Sequence, residues 1–329
     1  MGTTATSVDA SAYSFLASIL VPEIPAADDG KYLPNLWAYC EPMKKKYYET
    51  QMTENPSTHR PHMDFEQVAK DWNNTGLVII PTFLDRSEIA ELRRICDHVL
   101  QQALAEAPDR ANASNIAYLT ECRYFRSCEA DLLCLLEFIA DQRIISLLTR
   151  LSGELPLFHN TQYFYNPASI SWDGDWHRDT QFLAPEIALE QLRMKRHAGV
   201  HFRVAFVEDA QLEYVPGSER RWDLAAELEI RKGAEPRRSD MPGRKKIRLE
   251  AGDACLFHAW GIHRGTYRAD VLRRTLDIIY GWGGVCDYSP PPAMCFTGQD
   301  LLARLSPGAR NFFNYFIETY RSYWDESRS

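Results

Sequence analysis

Hydrophobic and polar residues follow two different patterns, which change near residue 155. Before that point, apolar residues recur every three or four positions, which predicts an amphipathic helix: Ile89, Leu92, Ile95, Val99, Leu100 and Ala103. Asp85 and Ser87 stand where an N-terminal cap is expected. A second helical pattern covers residues 130–151, and the apolar run 76–81, closed by Pro81, predicts a strand ahead of both helices.

After residue 155, short aromatic and β-branched segments alternate with turns rich in Gly and Pro. This pattern predicts strands at 157–165, 200–207, 212–215, 247–249, 254–258 and 275–280. Short strands at regular intervals are typical of a sandwich or barrel of the jelly-roll kind. The chain is therefore expected to be mainly β with flanking helices.

Composition limits the possible roles of the protein. The 329 residues are 45% hydrophobic and 25% charged, as in ordinary globular proteins. A net charge of −8 without a basic stripe argues against nucleic-acid binding. We found no signal peptide and no membrane-length apolar run, and the eight cysteines form no CxxC pair. We therefore expect a cytoplasmic protein with reduced thiols, either a monomer or a homodimer.

The chain divides into two predicted regions. Residues 1–64 are rich in Pro, Tyr and polar residues and are interpreted as an N-terminal extension that packs on the core. Residues 65–329 form the predicted main domain.

A candidate metal site lies at His177 and Asp179 in the strand-rich region. In an extended segment, residues i and i+2 point to the same side, so both side chains can reach one ion. The spacing alone is common by chance, but Trp172 and Trp176 flank it here.

A second histidine must come from a distant strand, and His258 and His263 compete for that role. Arg274 stands eleven residues after His263, whereas Ala269 stands eleven residues after His258. We therefore choose His263 as the third ligand. Two histidines and one carboxylate suit a non-haem Fe(II) oxygenase, although residue types alone also allow Mn or Zn. Arg274 would then pair with the far carboxylate of 2-oxoglutarate.

Between about residues 65 and 280, the chain resembles the phytanoyl-CoA dioxygenase (PhyH-like) family. The likeness rests on ordered motifs: Trp72 to Pro81, Trp176-His177-Arg178-Asp179, Glu213 to Ser218, Gly252-Asp253, His263 and Arg274-Thr275. It implies a double-stranded β-helix (cupin-like jelly roll) fold that uses Fe(II), 2-oxoglutarate and O2.

The resemblance also implies roles for further residues. Gln162, which precedes Asn166 in the pattern of the family, would hydrogen-bond 2-oxoglutarate, and Thr266 would assist its distal carboxylate. The chain departs from the family at Glu219, where histidine usually follows Pro-Gly-Ser. That departure puts an acyl-CoA substrate in doubt.

Arg203, Trp176 and Tyr163 are candidate substrate contacts, with a solvent-facing arginine and an ordinary aromatic core as the alternatives. The expected function is the oxidation of an unactivated C–H bond of a small molecule in specialised metabolism. Hydroxylation, desaturation or cyclisation would be accompanied by release of succinate and CO2. The alternatives are a non-catalytic jelly-roll binding protein and a different cupin-type metalloenzyme.

Overall fold

The computed structural model describes residues 63–326 except 183, 185, 197, 234–238 and 283–298. The described α-helices are α1 (Phe65–Thr75), α2 (Arg86–Glu106), α3 (Glu129–Ile139), α4 (Gln142–Ser152), α5 (Ile187–Arg196), α6 (Ala225–Lys232), α7 (Gln299–Leu302) and α8 (Pro307–Glu326). The strands are β1 (Leu77–Ile80), β2 (Asn115–Ala117), β3 (Leu157–Tyr165), β4 (Trp172–Asp173), β5 (Ala198–Ala205), β6 (Asp209–Tyr214), β7 (Lys245–Leu249), β8 (Ala254–His258), β9 (His263–Tyr267) and β10 (Arg274–Trp282).

Two antiparallel sheets form a double-stranded β-helix, which confirms the predicted jelly roll. The larger sheet has the order β1-β8-β5-β10-β3-β2, and the smaller has the order β4-β9-β6-β7. Neighbours in the sheets are often distant in the chain, so the fold brings together side chains that are far apart in sequence. Every pairing among the described strands is antiparallel.

Alternation along the central strands separates two cores. One face of the large sheet packs against the helices through an apolar cluster, which includes Phe202, Val204, Leu256, Leu276 and Ile278. The opposite face points between the sheets, where Ala205, Cys255 and Phe257 meet Leu212, Tyr214, Ile247 and Leu249. Because side chains alternate along a strand, the residues between the apolar ones on β5 and β10 also face this interior.

Local sequence explains several element boundaries. Asp85 caps α2 in a reciprocal capping box with Glu88, so the predicted cap at Asp85 is correct. The helical pattern 130–151 is two helices, because α3 ends at Ile139 and the Asp141 side chain then caps the start of α4. The bounds of β3 and β8 are those predicted, whereas β9 and α8 were not predicted.

Other expectations are tested only in part. Helix α1 begins at Phe65, next to the predicted boundary, while residues 1–62 of the predicted extension lie outside the described residues. Cys96, Cys128, Cys134 and Cys255 are free, but Cys122 is disulfide-bonded, contrary to the expectation of reduced thiols throughout. None of the described helices combines the length and apolar composition needed to cross a membrane.

Candidate active site

His177, Asp179 and His263 converge at one end of the barrel. His177 and His263 exchange two backbone hydrogen bonds, of 3.0 and 2.9 Å, which fix the start of β9 against the HxD segment. Oδ1 of Asp179 lies 3.6 Å from Nε2 of His177 and 3.5 Å from Nε2 of His263. One ligand atom from each residue falls within 4.8 Å of the others, so the three side chains can hold one metal ion. His258 lies elsewhere, stacked on Trp72 with ring centroids 5.7 Å apart.

The backbone fixes the tautomer of both histidines. Nδ1 of His177 lies 2.7 Å from the Asp175 carbonyl oxygen, and Nδ1 of His263 lies 2.9 Å from the Gly261 carbonyl oxygen. A carbonyl oxygen only accepts, so each Nδ1 donates and each Nε2 presents its lone pair toward Asp179. Orientation of ligating imidazoles through the other ring nitrogen is usual in metal sites. The donor set therefore fits a divalent metal such as Fe(II).

Protonation states also suit a metal site. Burial, reinforced by the nearby His177, lowers the pKa of His263 to about 3, so its imidazole is neutral near pH 7. Burial acts to raise the pKa of Asp179, but a hydrogen bond from His201 and the proximity of His263 hold it well below its usual range. A neutral imidazole and an ionised carboxylate are the forms that bind metal.

A chain of buried polar groups continues behind Asp179. His201 on β5 lies with Nε2 2.8 Å from Oδ2 of Asp179 and Nδ1 3.1 Å from Oδ2 of Asp277 on β10. Arg203 donates to both oxygens of Asp277, over 2.6 and 2.7 Å. Burial acts to lower the pKa of His201, but the two carboxylates raise it to about 9. Arg203 thus faces inward and is not the solvent-facing arginine of the alternative interpretation, but its guanidinium is paired with Asp277.

The two adjacent arginines at the start of β10 have opposite surroundings. Arg274 donates to Asp97 on α2 over 2.7 Å and to the Asn166 side chain over 3.0 Å, on the helical side of the large sheet. Arg273 is fully buried and lies on the side of Asp277, between the rings of Phe164 and Tyr267. The prediction that Arg274 points to the co-substrate therefore fails, because the phase of the strand turns it outward.

Arg273 is incompletely satisfied. Its Nε lies 3.2 Å from Oδ1 of the buried Asp209. Within the described part of the chain, none of its three guanidinium nitrogens has a hydrogen-bond partner of good geometry. Buried guanidinium groups rarely remain without such partners, so Arg273 has donors available for an anionic ligand. No sequence pattern pointed to Arg273, since spacing from His263 selected its neighbour.

Comparison with known proteins gives one decisive match. The model of the phytanoyl-CoA dioxygenase (PhyH) family matches residues 72–274, more than half of the chain, and that span contains the whole triad. The chain belongs to the phytanoyl-CoA dioxygenase family. It is an Fe(II)- and 2-oxoglutarate-dependent dioxygenase that uses O2, and the alternative of a non-catalytic jelly-roll protein is set aside.

Other comparisons are more distant. AviO1 from Streptomyces viridochromogenes Tue57 is 15% identical with a TM-score of 0.49, covering 70% of this chain and 99% of that one. EctD from S. alaskensis, with 2-oxoglutarate and 5-hydroxyectoine, is 16% identical with a TM-score of 0.46 and coverages of 69% and 79%. HygX from Streptomyces hygroscopicus, with nickel and 2-oxoglutarate, is 15% identical with a TM-score of 0.47 and coverages of 67% and 87%. No curated protein matches the chain.

The two polar residues that the family resemblance singled out have different positions. Gln162 is the cross-strand partner of Asp277, so it shares the interior face of the dioxygenase barrel. Thr266 lies three residues after His263 on β9 and therefore on the opposite face, where it lines a surface groove with Gln211 and Arg264. The prediction for Thr266 is not met, whereas Gln162 is on the side that a co-substrate contact requires.

Both aromatic substrate candidates face away from the triad. Tyr163 alternates with Gln162 and donates its hydroxyl to Asp97 over 2.9 Å, on the helical side of the sheet. Trp176 alternates with His177, packs with Val215, Met241 and Ile262, and donates its Nε1 to the Ser239 carbonyl oxygen over 2.9 Å. Both belong to the aromatic core, as the alternative interpretation held.

Phe182 instead stands beside His177, with ring centroids 5.3 Å apart, and is 61% exposed.

Arg178, between the two ligands of the HxD segment, is completely buried on the side opposite the metal site. It donates to Asp223 over 2.9 and 2.7 Å, to the Ser218 carbonyl oxygen over 2.7 Å, and to the Trp260 carbonyl oxygen. Arg231 donates to the other oxygen of Asp223 over 2.7 Å. This ion-pair cluster ties the segment that carries His177 and Asp179 to the residues after β6. Sequence reasoning assigned Arg178 no role beyond the motif.

Proposed function

We propose that this dioxygenase oxidises an unactivated C–H bond of a small molecule in specialised metabolism, with His177, Asp179 and His263 as its metal ligands. The observation that carries the assignment is the convergence of the three ligand atoms, with both Nε2 lone pairs freed by Nδ1–carbonyl contacts. Hydroxylation is the simplest outcome, and desaturation or ring formation share the same demands on the protein. Succinate and CO2 are the co-products.

Fe(II) with 2-oxoglutarate activates O2 and supplies the oxidant when both are bound. The two imidazoles and Asp179 would hold the metal ion, as two histidines and one carboxylate do in non-haem Fe(II) oxygenases. Gln162 offers its side-chain amide to the co-substrate from the interior face of β3. His201 and His263 are buried, so water has little access to the site from their side, which protects a reactive centre from side reactions.

Arg273 is proposed as the partner of the distal carboxylate of 2-oxoglutarate, in place of Arg274. Its support is complete burial, its position on the interior side of the strand, and three nitrogens without good hydrogen bonds in the described structure. The centroid of the Phe164 ring lies 4.9 Å from the guanidinium carbon of Arg273 and 4.9 Å from that of Arg203. Arg273 therefore lies near Arg203, which belongs to the chain of buried polar groups behind Asp179. A planar guanidinium suits bidentate recognition of a carboxylate.

The substrate is proposed to enter on the side of His177. The His177 side chain is 22% exposed, against 7% for His263, so solvent reaches the triad from that side. The exposed ring of Phe182 stands at this opening and offers contact to an apolar part of a substrate. The replacement of the usual histidine by Glu219 favours a substrate other than an acyl-CoA.

The test is anaerobic addition of Fe(II) and 2-oxoglutarate to apo-protein, followed by visible spectroscopy. We expect a metal-to-ligand charge-transfer band that disappears in His177→Ala, Asp179→Ala and His263→Ala. His258→Gln is the matched control, because His258 is a histidine remote from the triad, and it should keep the band. Folded wild-type protein without a band, or a band lost in His258→Gln and kept in His263→Ala, would overturn the assignment. Substrate search can then follow by succinate release from small-molecule collections.

A further inference from the structure

The two oxygens of the Asp179 carboxylate have different surroundings. Oδ1 faces Nε2 of both triad histidines, at 3.6 and 3.5 Å. Oδ2 points away from them and lies 2.8 Å from Nε2 of His201. Only one oxygen of this carboxylate is therefore directed to the space between the two ligand nitrogens.

The His201 ring is held from several directions. Its Nδ1 lies 3.1 Å from Oδ2 of Asp277, and Arg203 in turn fixes Asp277 by two hydrogen bonds. Its plane is stacked on Phe257, with centroids 4.6 Å apart and an interplanar angle of 10°. Carboxylate oxygens only accept, so both ring nitrogens of His201 carry hydrogen and donate. The interior of the barrel thus presents a cation at a fixed position behind Asp179.

We propose that His201 is a positioning residue that donates to Oδ2 of Asp179, so that this carboxylate offers only Oδ1 to the metal. The proposal rests on the proposed function, because it assumes that the triad binds Fe(II). A carboxylate free to rotate could use both oxygens on the ion and occupy a position that the co-substrate or O2 needs. The donor on Oδ2 opposes that rotation and sets the basicity of the ligand.

A purely structural role for His201 makes different predictions. In that case the imidazole only neutralises two buried carboxylates, and any variant that preserves folding should bind metal normally. The two amide side chains separate these roles. The amide nitrogen of Gln reaches about as far as Nε2, so His201→Gln keeps a donor for Asp179. The amide nitrogen of Asn reaches only about as far as Nδ1, so His201→Asn keeps a donor for Asp277 alone.

The experiment is an anaerobic Fe(II) titration of apo-protein by calorimetry, with the charge-transfer band recorded after addition of 2-oxoglutarate. We expect His201→Asn and His201→Ala to bind Fe(II) about 10–100-fold more weakly, the usual effect of removing an outer partner of a ligand. Their charge-transfer band should shift, while His201→Gln stays near wild type in both readouts. Thermal unfolding of each apo-variant, with His258→Gln as the matched control, shows whether the fold is intact.

The outcomes separate the two proposals. Wild-type protein that binds no Fe(II) would reject the proposed function and this role with it. Wild-type binding with unchanged affinity and band in folded His201→Asn would overturn only the role of His201. Equal losses in His201→Gln and His201→Asn would also overturn it, because the donor to Asp179 would then make no difference. If His201→Ala does not fold, the comparison of Gln with Asn decides alone.

Discussion

Arg273 and Arg274 are neighbours in sequence but lie on opposite sides of the large sheet. Arg273 is buried beside Asp209, Phe164 and Tyr267, on the interior side, whereas Arg274 pairs with Asp97 of α2 on the helical side. Since consecutive residues of a strand point to opposite faces, only one of the two can face the barrel interior. The phase of the chain at the start of β10 therefore decides which of the two arginines faces the interior, where we propose that Arg273 anchors 2-oxoglutarate.

Replacing Arg273 should weaken the binding of 2-oxoglutarate much more than replacing Arg274. Loss of a charge-assisted bidentate contact costs about 1.5–3 kcal/mol, which corresponds to about 10–150-fold in Kd. Titration of the charge-transfer band of the Fe(II) enzyme with 2-oxoglutarate measures this for Arg273→Lys and Arg274→Lys. Lysine keeps the charge beside Asp209 or Asp97 but cannot reproduce the fork of the guanidinium. A larger loss in Arg274→Lys would return the role to Arg274.

Removing Arg178 should destabilise the fold strongly. Arg178→Met removes both hydrogen bonds from Arg178 to Asp223, which keeps its bond from Arg231, and removes one donor from each of the Ser218 and Trp260 carbonyl oxygens. Breaking a buried pair on one side costs about 3–5 kcal/mol. Urea unfolding of the apo-protein measures the change in the free energy of unfolding.

The matched control for Arg178 is Arg268→Met, which breaks the 2.6 Å pair with Asp173. That pair is more than one-third exposed on the arginine side, so we expect a cost below about 1 kcal/mol. Similar losses for the two variants would show that the buried cluster is not a special source of stability.

Acid should destabilise the protein partly through His258. Burial, reinforced by Arg178 and Arg220, lowers the pKa of His258 from 6.5 to about 3. Between these values the unfolded chain takes up a proton that the folded protein does not, so stability falls as the pH falls. The effect is at most about 1.4 kcal/mol per pH unit. His258→Gln should therefore lose less stability between pH 7 and pH 5 than wild type, by up to about 2 kcal/mol in urea unfolding. An unchanged pH dependence would show that His258 takes up a proton as readily in the folded protein as in the unfolded chain.

A methyl group at Gly261 should disturb the metal site. A Cβ at this position would overlap the buried ring of Tyr214, and the Gly261 carbonyl oxygen accepts from Nδ1 of His263. Overpacking a well-packed site typically costs about 1–3 kcal/mol. We expect Gly261→Ala to lower both stability and Fe(II) affinity, as measured by thermal unfolding and calorimetry. In the control Gly308→Ala the nearest neighbour is the end of the Gln142 side chain, which can move, so little change is expected. Normal Fe(II) binding by Gly261→Ala would mean that the loop adapts.

The sequence by itself determined the fold class and the segments that carry the triad. Alternation and apolar runs gave the bounds of β3 and β8, and the helical period of the first half gave α2 with its cap at Asp85. The i, i+2 spacing of His177 and Asp179 already requires a shared side in extended chain, and the eleven-residue spacing to Arg274 selected His263 over His258. Such local patterns are visible because they repeat with the period of one element.

Only the tertiary structure decided which side chains around the triad face the interior. Pairing of Asp277 with Gln162 and Arg203 sets the phase of β10, and a shift of one residue would exchange Arg273 with Arg274. The same alternation turned Thr266, Tyr163 and Trp176 away from the site. His201 meets Asp179 because β5 lies next to β8 and β10 in the sheet, a neighbourhood that sequence distance does not reveal. Register and strand order are properties of the whole barrel, and the function of single residues follows from them.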